Sequence, residues 1–394
     1  MRLLPFRDVN RGIGMNFALT VDQLQILDTV DRVMKRHFPL AEIRRRDAAH
    51  ADCKDMLPVF AQAGLLALPF PEEYGGLAAD RVTVVLVQER LAQHGGIAAI
   101  VFGQLADFGG MSLLKYGTEA QKQELLPRAI RGEISFSFAL TEPGAGSDAA
   151  AAITSAKKTS NGWTINGRKI WISMAETADY LITMCRTTKG SKGKEGLSTF
   201  LIPRNTPGIN MTRLEKLGNN CMSSWDIGFE NVGVPDSALM GEEGKGMRNM
   251  MKTLQYSRTA QAALSIGIAQ SACNAAKAFA IERQQFGQRI ADFQVIRHRL
   301  VDMQTRVDQA RLMLYYASWL VDADRPCRKE TAQTKILASE ALEYVSRHGM
   351  QILASFGYSA ESDMQRHWRD ARLYTFGEGT NELQRDLIAR EIGL

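Results

Sequence analysis

The sequence Arg-Asp-Ala-Arg-Leu-Tyr-Thr-Phe-Gly-Glu-Gly-Thr-Asn-Glu-Leu-Gln-Arg, residues 369–385, carries the most specific pattern in a chain of 394 residues. Glu378 lies between Gly377 and Gly379, and glycine lets the backbone approach a ligand closely. The stretch Asn381–Ile392 has the pattern of a final helix. A carboxylate in a loop before a helix is well placed to act as a base, although an ordinary loop glutamate near a helix N-terminus has the same pattern.

Outward from this loop, hydrophobic periodicity divides the chain into a helical part, a β part and a second helical part. Apolar residues recur at helical spacing over residues 15–137, short alternating runs fill residues 138–240, and long amphipathic stretches occupy residues 241–394. We therefore predict an α+β fold with three domains at these boundaries. Residues 1–14 lack the apolar stretch of a signal peptide, and we interpret them as an N-terminal extension.

Two Asn-Gly pairs mark the start of the predicted β part. Asn161-Gly162 and Asn166-Gly167 each stand between runs of alternating residues. Asn-Gly between such runs is a strong short-range signal for a β-hairpin. The pattern therefore predicts two turns close together, followed by further short strands.

Composition and charge exclude several classes of protein. The chain is 45% hydrophobic, which excludes overall disorder, and its apolar runs are shorter than the roughly 20 residues of a membrane span. The net charge of +5 comes from 48 basic and 43 acidic residues spread along the chain, which disfavours a nucleic-acid partner. Five scattered cysteines indicate free thiols in a reducing compartment, and neither they nor the six histidines have metal-ligand spacing, so no metal site is predicted.

Two further segments carry groups that suit a phosphorylated ligand. Thr141-Glu-Pro-Gly-Ala-Gly-Ser-Asp148 predicts a tight turn whose backbone N–H groups point outward, and a purely structural turn is the alternative. Glu282-Arg-Gln-Gln-Phe-Gly-Gln-Arg289 ends a predicted helix and offers Arg283 and Arg289 to a pyrophosphate. An exposed helix end without a ligand is the alternative for this second segment.

Taken together, these segments resemble the acyl-CoA dehydrogenase family of FAD-dependent flavoenzymes. The shared motifs are Phe-Ala-Leu-Thr-Glu-Pro-Gly-Ala-Gly-Ser-Asp at 138–148, Lys-Ile-Trp-Ile-Ser at 169–173, Glu-Arg-Gln-Gln-Phe-Gly at 282–287, Ala-Asp-Phe-Gln at 291–294, His-Trp-Arg-Asp-Ala at 367–371 and Glu-Gly-Thr-Asn-Glu-Leu-Gln-Arg at 378–385. Several motifs in one order are far more specific than any single one. The resemblance implies an N-terminal α-helical domain, a middle β-barrel-like domain and a C-terminal four-helix bundle.

The resemblance also implies α,β-dehydrogenation of an acyl-CoA thioester to the trans-2-enoyl-CoA. In this family a glutamate base removes the α proton while flavin N5 takes the β hydrogen, and Glu378 matches that base. Some members place the base on the helix that starts the third domain, where this chain has Ser257 before Arg258. Serine cannot act as this base at its ordinary pKa, so Glu378 is the catalytic candidate.

The cofactor that the resemblance implies is FAD. Contacts to the flavin and the pyrophosphate are implied for Phe138, Ala139, Leu140, Thr141, Gly146, Ser147, Trp171, Ile172 and Ser173. Contacts to the cofactor of a neighbouring subunit are implied for Arg283, Gln285, Phe286, Gln351 and Ser355, and further cofactor contacts are implied for Gln294, Thr380 and Glu382. Core packing is the alternative for Trp171 and Phe286. A site shared between subunits implies a homo-oligomer, in this family usually a homotetramer.

For the acyl-CoA substrate, the resemblance implies contacts from Ser147, Gln255, Arg258 and Gly379. A buried structural arginine paired with a carboxylate is the alternative for Arg258. Gly377 stands where many relatives have an aromatic residue beside the acyl chain, so we expect room for a branched, cyclic or polar acyl group.

The chain departs from the family's pattern after Gln351, because Ala354-Ser355 replaces the usual Gly-Gly. These small residues would still admit the cofactor, although its closest approach is in question.

Other functions remain open from the sequence. In the leading interpretation, the enzyme passes its electrons to an electron-transfer flavoprotein. It binds no nucleic acid and has no membrane span. The same fold could instead act on an acyl-carrier-protein thioester or use O₂ as an oxidase, and a non-catalytic flavoprotein that binds nucleic acid or a partner is a further alternative. We expect a cytoplasmic location in a bacterium, or the mitochondrial matrix in a eukaryote.

Overall fold

The computed structural model describes residues 18–191 and 193–394, and the predicted extension at residues 1–14 lies outside them. The described chain begins with helices, continues with a β-sheet and ends with helices. This order is the one that the periodicity predicts.

The N-terminal helices are short and share one hydrophobic core. They are α1 Val21–His37, α2 Leu40–Ala48, α3 Met56–Gln62, α4 Arg81–His94, α5 Gly96–Gly103, α6 Gly109–Tyr116 and α7 Glu119–Ile130. Thr20 caps the start of α1, because its hydroxyl accepts from the Gln23 backbone N–H while the Gln23 side chain accepts from the Thr20 N–H. This capping box pairs two donors that a helix start otherwise leaves free.

A π-helical turn, Gln104–Phe108, joins α5 to α6 and carries Asp107 into the interior. Asp107 forms an ion pair with Arg81, and both side chains are almost completely buried. The Arg81 guanidinium also donates to the Thr259 hydroxyl at 3.0 and 2.9 Å, across to the third domain. The pair therefore joins the first and third domains beside the loop of Glu378, whose pKa Asp107 raises.

Within the described ranges, one helical stretch, Gly96–Tyr116, is long and apolar enough to cross a membrane, but 78% of it is buried inside the fold. It includes the π-helical turn and packs as a core helix.

Eight strands form one sheet in the middle of the chain. They are β1 Phe136–Ala139, β2 Ser155–Thr159, β3 Gly162–Ser173, β4 Tyr180–Arg186, β5 Leu197–Pro203, β6 Ile209–Leu214, β7 Ser224–Val234 and β8 Leu239–Met240. Their order is β6-β7-β3-β2-β4-β5-β8, and β1 lies parallel to β4. Trp163 and Phe200 meet edge to face in the core of this sheet, with ring centroids 5.4 Å apart.

Only one of the two predicted hairpin turns forms. Asn161-Gly162 turns β2 into β3, where Thr159 pairs with Gly162. The prediction for Asn166-Gly167 is wrong, because both residues lie inside β3, at a register shift against β7. The Asn166 side chain accepts from the Asn231 backbone N–H at 2.8 Å, so this Asn-Gly pair builds a bulge in place of a turn.

The C-terminal part consists of three long helices and several short elements. They are α8 Gly246–Glu282, β9 Gln284–Gln285, β10 Gln288–Arg289, α9 Gln294–Asp322, α10 Arg328–Leu353, α11 Ser355–Tyr358, α12 Asp363–Ala371 and α13 Asn381–Glu391. Helices α8, α9 and α10 pack against one another, and α13 packs on α10. Buried small residues of α8, such as Ala269, Ala272 and Ala276, let its neighbours approach closely.

Candidate active site

Glu378 lies in the loop between a 3₁₀ turn, Arg372–Thr375, and α13. The φ angles of Glu378 and Gly379 are +57° and +92°, so two successive residues are left-handed. A left-handed non-glycine residue costs about 1–3 kcal/mol, and such strain is concentrated at functional sites. The Glu378 Oε2 atom is buried and has no hydrogen-bond partner in the described protein. The protein therefore leaves this oxygen to a water or a ligand.

The surroundings of Glu378 raise its pKa to about 8. Burial is the largest cause, because it removes water from the charged form. The Ser257 hydroxyl and the charges of Lys335 and Arg258 lower the pKa, but they do not cancel the effect of burial. Glu378 is therefore a stronger base than a solvated glutamate, as the removal of a proton from carbon requires.

Helix α8 lines one side of the Glu378 loop. Gln261 donates from Nε2 to the carbonyl oxygens of Tyr374 at 3.1 Å and Gly377 at 3.4 Å. Ser257 lies one helical turn before Gln261, and its hydroxyl stands beside the Glu378 carboxyl. The two positions at which the resemblance places a base therefore lie side by side in this protein.

Arg258 is buried in the same region. Its Nε atom has no partner, and its side chain forms no salt bridge with any residue that the structure describes. Burial lowers the pKa of Arg258 to about 10, and the nearby Glu378 opposes that shift. The arrangement contradicts a structural ion pair for Arg258. Gln255, one residue before Tyr256 on α8, accepts a weak hydrogen bond from the Cys327 thiol at 3.6 Å.

The loop at residues 141–148 is built around Glu142. Its carboxylate accepts from the backbone N–H groups of Ile153 at 2.8 Å and Thr154 at 2.9 Å, and it pairs with Lys169 at 2.8 Å. Lys169 also donates to the Leu140 carbonyl at 2.9 Å, and both charged side chains are buried. The loop is thus fixed from the inside by a buried ion pair.

The outer side of this loop is open. A Cβ added at Gly144 or Gly146 would meet no atom within 4 Å. Trp171 stands beside the loop, because the Ile170 N–H donates to the Thr141 carbonyl at 2.9 Å. The indole is 55% exposed at a register shift of β3, which contradicts core packing for this residue.

The remaining residues predicted to contact the cofactor differ in which of their atoms a ligand could reach. Ala139 and Ile172 are buried in the core of the sheet, so only their backbone atoms are available to a ligand. Phe138 and Leu140 are partly buried, and Ser147 is exposed. The Ser173 carbonyl accepts from the Ser137 hydroxyl at 2.7 Å, which joins β3 to β1.

A second cluster of predicted cofactor residues lies at the far end of α8. Arg283 stands over the Phe356 ring at 5.6 Å, next to Ser355, and Phe286 is 93% exposed. The other members of this cluster, Gln285, Gln294 and Gln351, are also exposed. Ser257, which stands beside Glu378, is 26 residues before Arg283, about 39 Å along α8, so one chain does not bring this cluster to its own Glu378. The exposure of Phe286 also contradicts core packing for it.

Local backbone geometry distinguishes two further predicted residues. Ala354 has φ +50°, a left-handed conformation that favours glycine, so the departure from Gly-Gly is strained at its first position. Thr380 caps α13, since its hydroxyl accepts from the Leu383 N–H at 3.2 Å, while Glu382 is exposed.

A groove of about 480 Å³, which the sequence did not predict, lies where Thr188, Ser191 and residues 194–196 meet the first turn of α8. Its lining includes Lys194, Lys245 and Arg248, together with Glu195 and Glu243. Helix α8 begins without a side-chain cap, and an uncapped helix start favours an anion nearby. The basic residues at 245 and 248, before a long predicted helix, were the available signal.

Comparison with protein families accounts for all three parts of the fold. Models of the acyl-CoA dehydrogenase N-terminal, middle and C-terminal domains match residues 20–133, 137–232 and 244–393. The chain belongs to the acyl-CoA dehydrogenase family. Acyl-CoA dehydrogenases are FAD-dependent oxidoreductases.

Individual relatives match this acyl-CoA dehydrogenase along nearly its whole length. It is 38% identical over 384 residues to "Probable acyl-CoA dehydrogenase YngJ" of Bacillus subtilis, covering 96% of this chain and 100% of that protein. It is 36% identical over 380 residues to "Caffeyl-CoA reductase-Etf complex subunit CarC" of Acetobacterium woodii, covering 96% of each chain. The structure of butyryl-CoA dehydrogenase from Megasphaera elsdenii matches with a TM-score of 0.92 and 32% identity, covering 96% of this chain and 100% of that one.

Proposed function

We propose that this acyl-CoA dehydrogenase converts an acyl-CoA thioester to the trans-2-enoyl-CoA, with Glu378 as the base. The observation that carries the proposal is the Glu378 carboxyl group, which is buried, unpaired at Oε2 and raised in pKa to about 8. These are the properties that removal of an α proton requires, because the base must hold the proton that it takes.

The residues around the loop at 141–148 fit FAD. The open space outside Gly144 and Gly146 leaves backbone N–H groups free for a pyrophosphate, and the exposed Trp171 indole offers a flat surface to a ring. We infer that Thr141, Ser147 and the backbone of Ile172 would hold the cofactor there. FAD, when bound, supplies the acceptor for the β hydrogen, which leaves the substrate as a hydride.

The base step uses groups of this chain. The Glu378 carboxylate takes the α proton, and the electron pair left behind moves toward the thioester oxygen, where the growing charge needs hydrogen-bond donors. The Glu378 backbone N–H has no acceptor in the described part of the chain and can supply one donor. The unpaired Arg258 adds positive charge nearby.

The rate of flavin reduction is expected to rise with pH, because only the ionised Glu378 carboxylate can accept the proton. With a pKa of about 8, the ionised fraction and kcat/KM increase about tenfold per pH unit below pH 7 and reach a plateau above the pKa. Anaerobic stopped-flow reduction by acyl-CoA between pH 6 and 9.5 measures this profile. A rate that is flat over this range would contradict the assignment of the base.

The groove at the start of α8 favours CoA over a carrier-protein thioester. Its cations and uncapped helix start suit the phosphates of a nucleotide. Ser257 lies 11 residues after Gly246, about 16 Å along the helix. An extended thioester arm can span this distance between the phosphates in the groove and Glu378.

Charge reversal in this groove is expected to weaken binding of acyl-CoA specifically. Lys245→Glu combined with Arg248→Glu should raise KM for acyl-CoA at least tenfold and leave KM for the matching acyl-pantetheine unchanged, since only CoA carries the phosphates. Lys252→Glu is the matched control, because Lys252 is exposed on the same helix but outside the groove. Equal effects on both substrates would place the CoA phosphates elsewhere.

We further propose an electron-transfer flavoprotein as the electron acceptor and a homo-oligomer, in this family usually a tetramer, as the working form. The relative from Acetobacterium woodii is named as a subunit of a complex with Etf, which supports the first proposal. The exposed cluster around Arg283 and Phe286 supports the second, since it lies too far from its own chain's base and is free to reach another subunit.

Anaerobic bleaching of the bound flavin with a panel of thioesters tests the whole proposal. The panel compares straight, branched, aromatic and polar acyl-CoAs with acyl-carrier-protein thioesters, and repeats the active one under O₂. Bleaching by an acyl-CoA, with slow reoxidation by O₂, is the expected result. Bleaching only by the carrier-protein thioester, or fast turnover with O₂, would support the alternatives, and no bleaching by any thioester would overturn the proposal.

A Cβ at Gly377 would lie 3.2 Å from the Leu373 carbonyl oxygen and 3.7 Å from Gln261 Nε2, so a larger residue there would crowd the base loop. We therefore include the branched and aromatic acyl groups in the panel as the substrates that the missing side chain favours.

A further inference from the structure

Lys335 is a buried lysine behind the loop that carries Glu378. It lies on α10, its exposure is 1%, and it forms no salt bridge with a described residue. Burying an ammonium group without a carboxylate in contact is unfavourable unless other groups compensate. A lysine in such a place therefore has a local task.

The ammonium group of Lys335 joins the two ends of the Glu378 loop. It donates to the Thr375 carbonyl at 3.1 Å, before the loop, and to the Asn381 Oδ1 atom at 2.8 Å, after it. Ser339, one turn further along α10, receives a hydrogen bond from Asn381 Nδ2 at 3.1 Å. Helix α10 thus holds both ends of the segment in which Glu378 adopts its left-handed conformation.

We propose that Lys335 is a positioning residue for the dehydrogenation, which clamps the base loop and supplies the cation that keeps Glu378 able to ionise. The inference rests on the proposed function of Glu378 as base. A strained backbone persists only where its surroundings determine it, and Lys335 contributes two of the hydrogen bonds that do so.

The polar and charged groups that face Glu378 come from several elements. Ser257 and Arg258 face it from α8, Asp107 from the π-helical turn, and Lys335 from α10. Among the charged groups, Lys335 lowers the pKa of Glu378 most, against the raising effect of burial. Arg258 and Asp107 have opposite signs and act in opposite directions, so loss of Lys335 would leave burial with less to oppose it.

Lys335→Met tests the proposal, since methionine fills the space and removes the charge and the donors. We expect the limiting rate of anaerobic flavin reduction to fall at least tenfold, with little change in the substrate's dissociation constant. Burial lowers the pKa of Lys335 itself to about 8, so the two groups titrate together, and the pH midpoint of the rate should move upward in Lys335→Met because the nearby cation lowers the pKa of Glu378. Lys335→Arg keeps the charge and should leave the midpoint within about half a unit of the wild type.

Ser339→Ala is the matched control, because it loosens the same Asn381 clamp without changing any charge. It should lower the rate without moving the pH midpoint. Asn381→Asp provides a second variant of nearly the same shape, in which a carboxylate contacts the ammonium group and opposes its effect on Glu378. It should raise the midpoint, and it decides the question alone if Lys335→Met is not recovered as a folded flavoprotein.

The outcomes separate this inference from the function on which it rests. If the wild-type flavin is not bleached by any acyl-CoA, the proposed function fails. If the wild type is active while Lys335→Met and Asn381→Asp keep its pH midpoint, Lys335 is structural and only this inference is overturned. Hydrogen exchange of residues 372–384, faster in Lys335→Met than in Lys335→Arg, reports the clamp independently of activity.

Discussion

Glu378→Gln is expected to abolish reduction of the bound flavin by acyl-CoA while FAD stays bound. The rate should fall by about 10²–10⁴-fold or more, which is the usual contribution of a positioned general base. Glutamine has nearly the same shape as glutamate and keeps the backbone N–H that we propose as a donor to the thioester oxygen. Its amide cannot accept a proton, so the variant removes the chemistry and leaves the site in place.

The measurement is anaerobic stopped-flow absorbance of the flavin band, with the visible spectrum of the purified protein as the check that FAD is retained. Glu391→Gln is the matched control, since this carboxylate lies on α13 in the same region of sequence but is paired with Arg328 at the surface. The control should reduce its flavin at the wild-type rate. Substantial flavin reduction in Glu378→Gln would show that another group takes the α proton.

The order of the domains and the nature of the base loop could be predicted because they depend on local patterns. The buried face of each helix or strand sets the period of its hydrophobic residues, 3.6 for a helix and 2 for a strand. This period can be recognised without knowing which element packs against that face. The glycines around Glu378 similarly indicate close backbone approach, and the structure places the residue in a left-handed loop. The ordered motifs then connected these features to one family.

What the sequence could not supply depends on contacts between distant residues. Asn166-Gly167 has the composition of a turn, but pairing of β3 with β7 makes it a bulge. Lys335 looks like any helical lysine, and only the packing of α10 behind the Glu378 loop reveals its hydrogen bonds. The raised pKa of Glu378 is also a tertiary property, because burial is its main cause.

For the exposed cluster around Phe286, the sequence predicts a role that the structure of one chain does not explain. The resemblance predicts cofactor contacts for its residues, but their geometry within one chain does not connect them to Glu378. A predicted contact that needs a second subunit is therefore seen in a single chain only as exposed aromatic and basic groups.

Lys169→Met is expected to lower the free energy of unfolding by about 3–5 kcal/mol, because it leaves the buried Glu142 carboxylate without its cation. The loop at 141–148 depends on that carboxylate, so we expect FAD to be released at lower urea concentrations as well. Urea unfolding of the holoprotein, followed by circular dichroism and by the fluorescence of released FAD, measures both effects.

Lys158→Met is the matched control for this prediction. Lys158 also pairs with an acid, Asp236, in the same domain, but both side chains are more than half exposed. Loss of an exposed pair costs about 1 kcal/mol or less, so the control should unfold and release FAD close to the wild type. If Lys169→Met behaves like Lys158→Met, the buried pair does not hold the loop.

Combining Lys169→Met with Glu142→Gln separates the charge from the hydrogen bonds. Glutamine keeps one oxygen, which can accept from the backbone N–H of either Ile153 or Thr154 but not of both in the present geometry, and it carries no charge that needs a partner. The double variant should therefore be more stable than Lys169→Met alone, because an unpaired buried charge costs more than a neutral amide in the same place. A double variant that is even less stable than Lys169→Met would mean that the two backbone hydrogen bonds of Glu142, and not its charge pairing, hold the loop at 141–148.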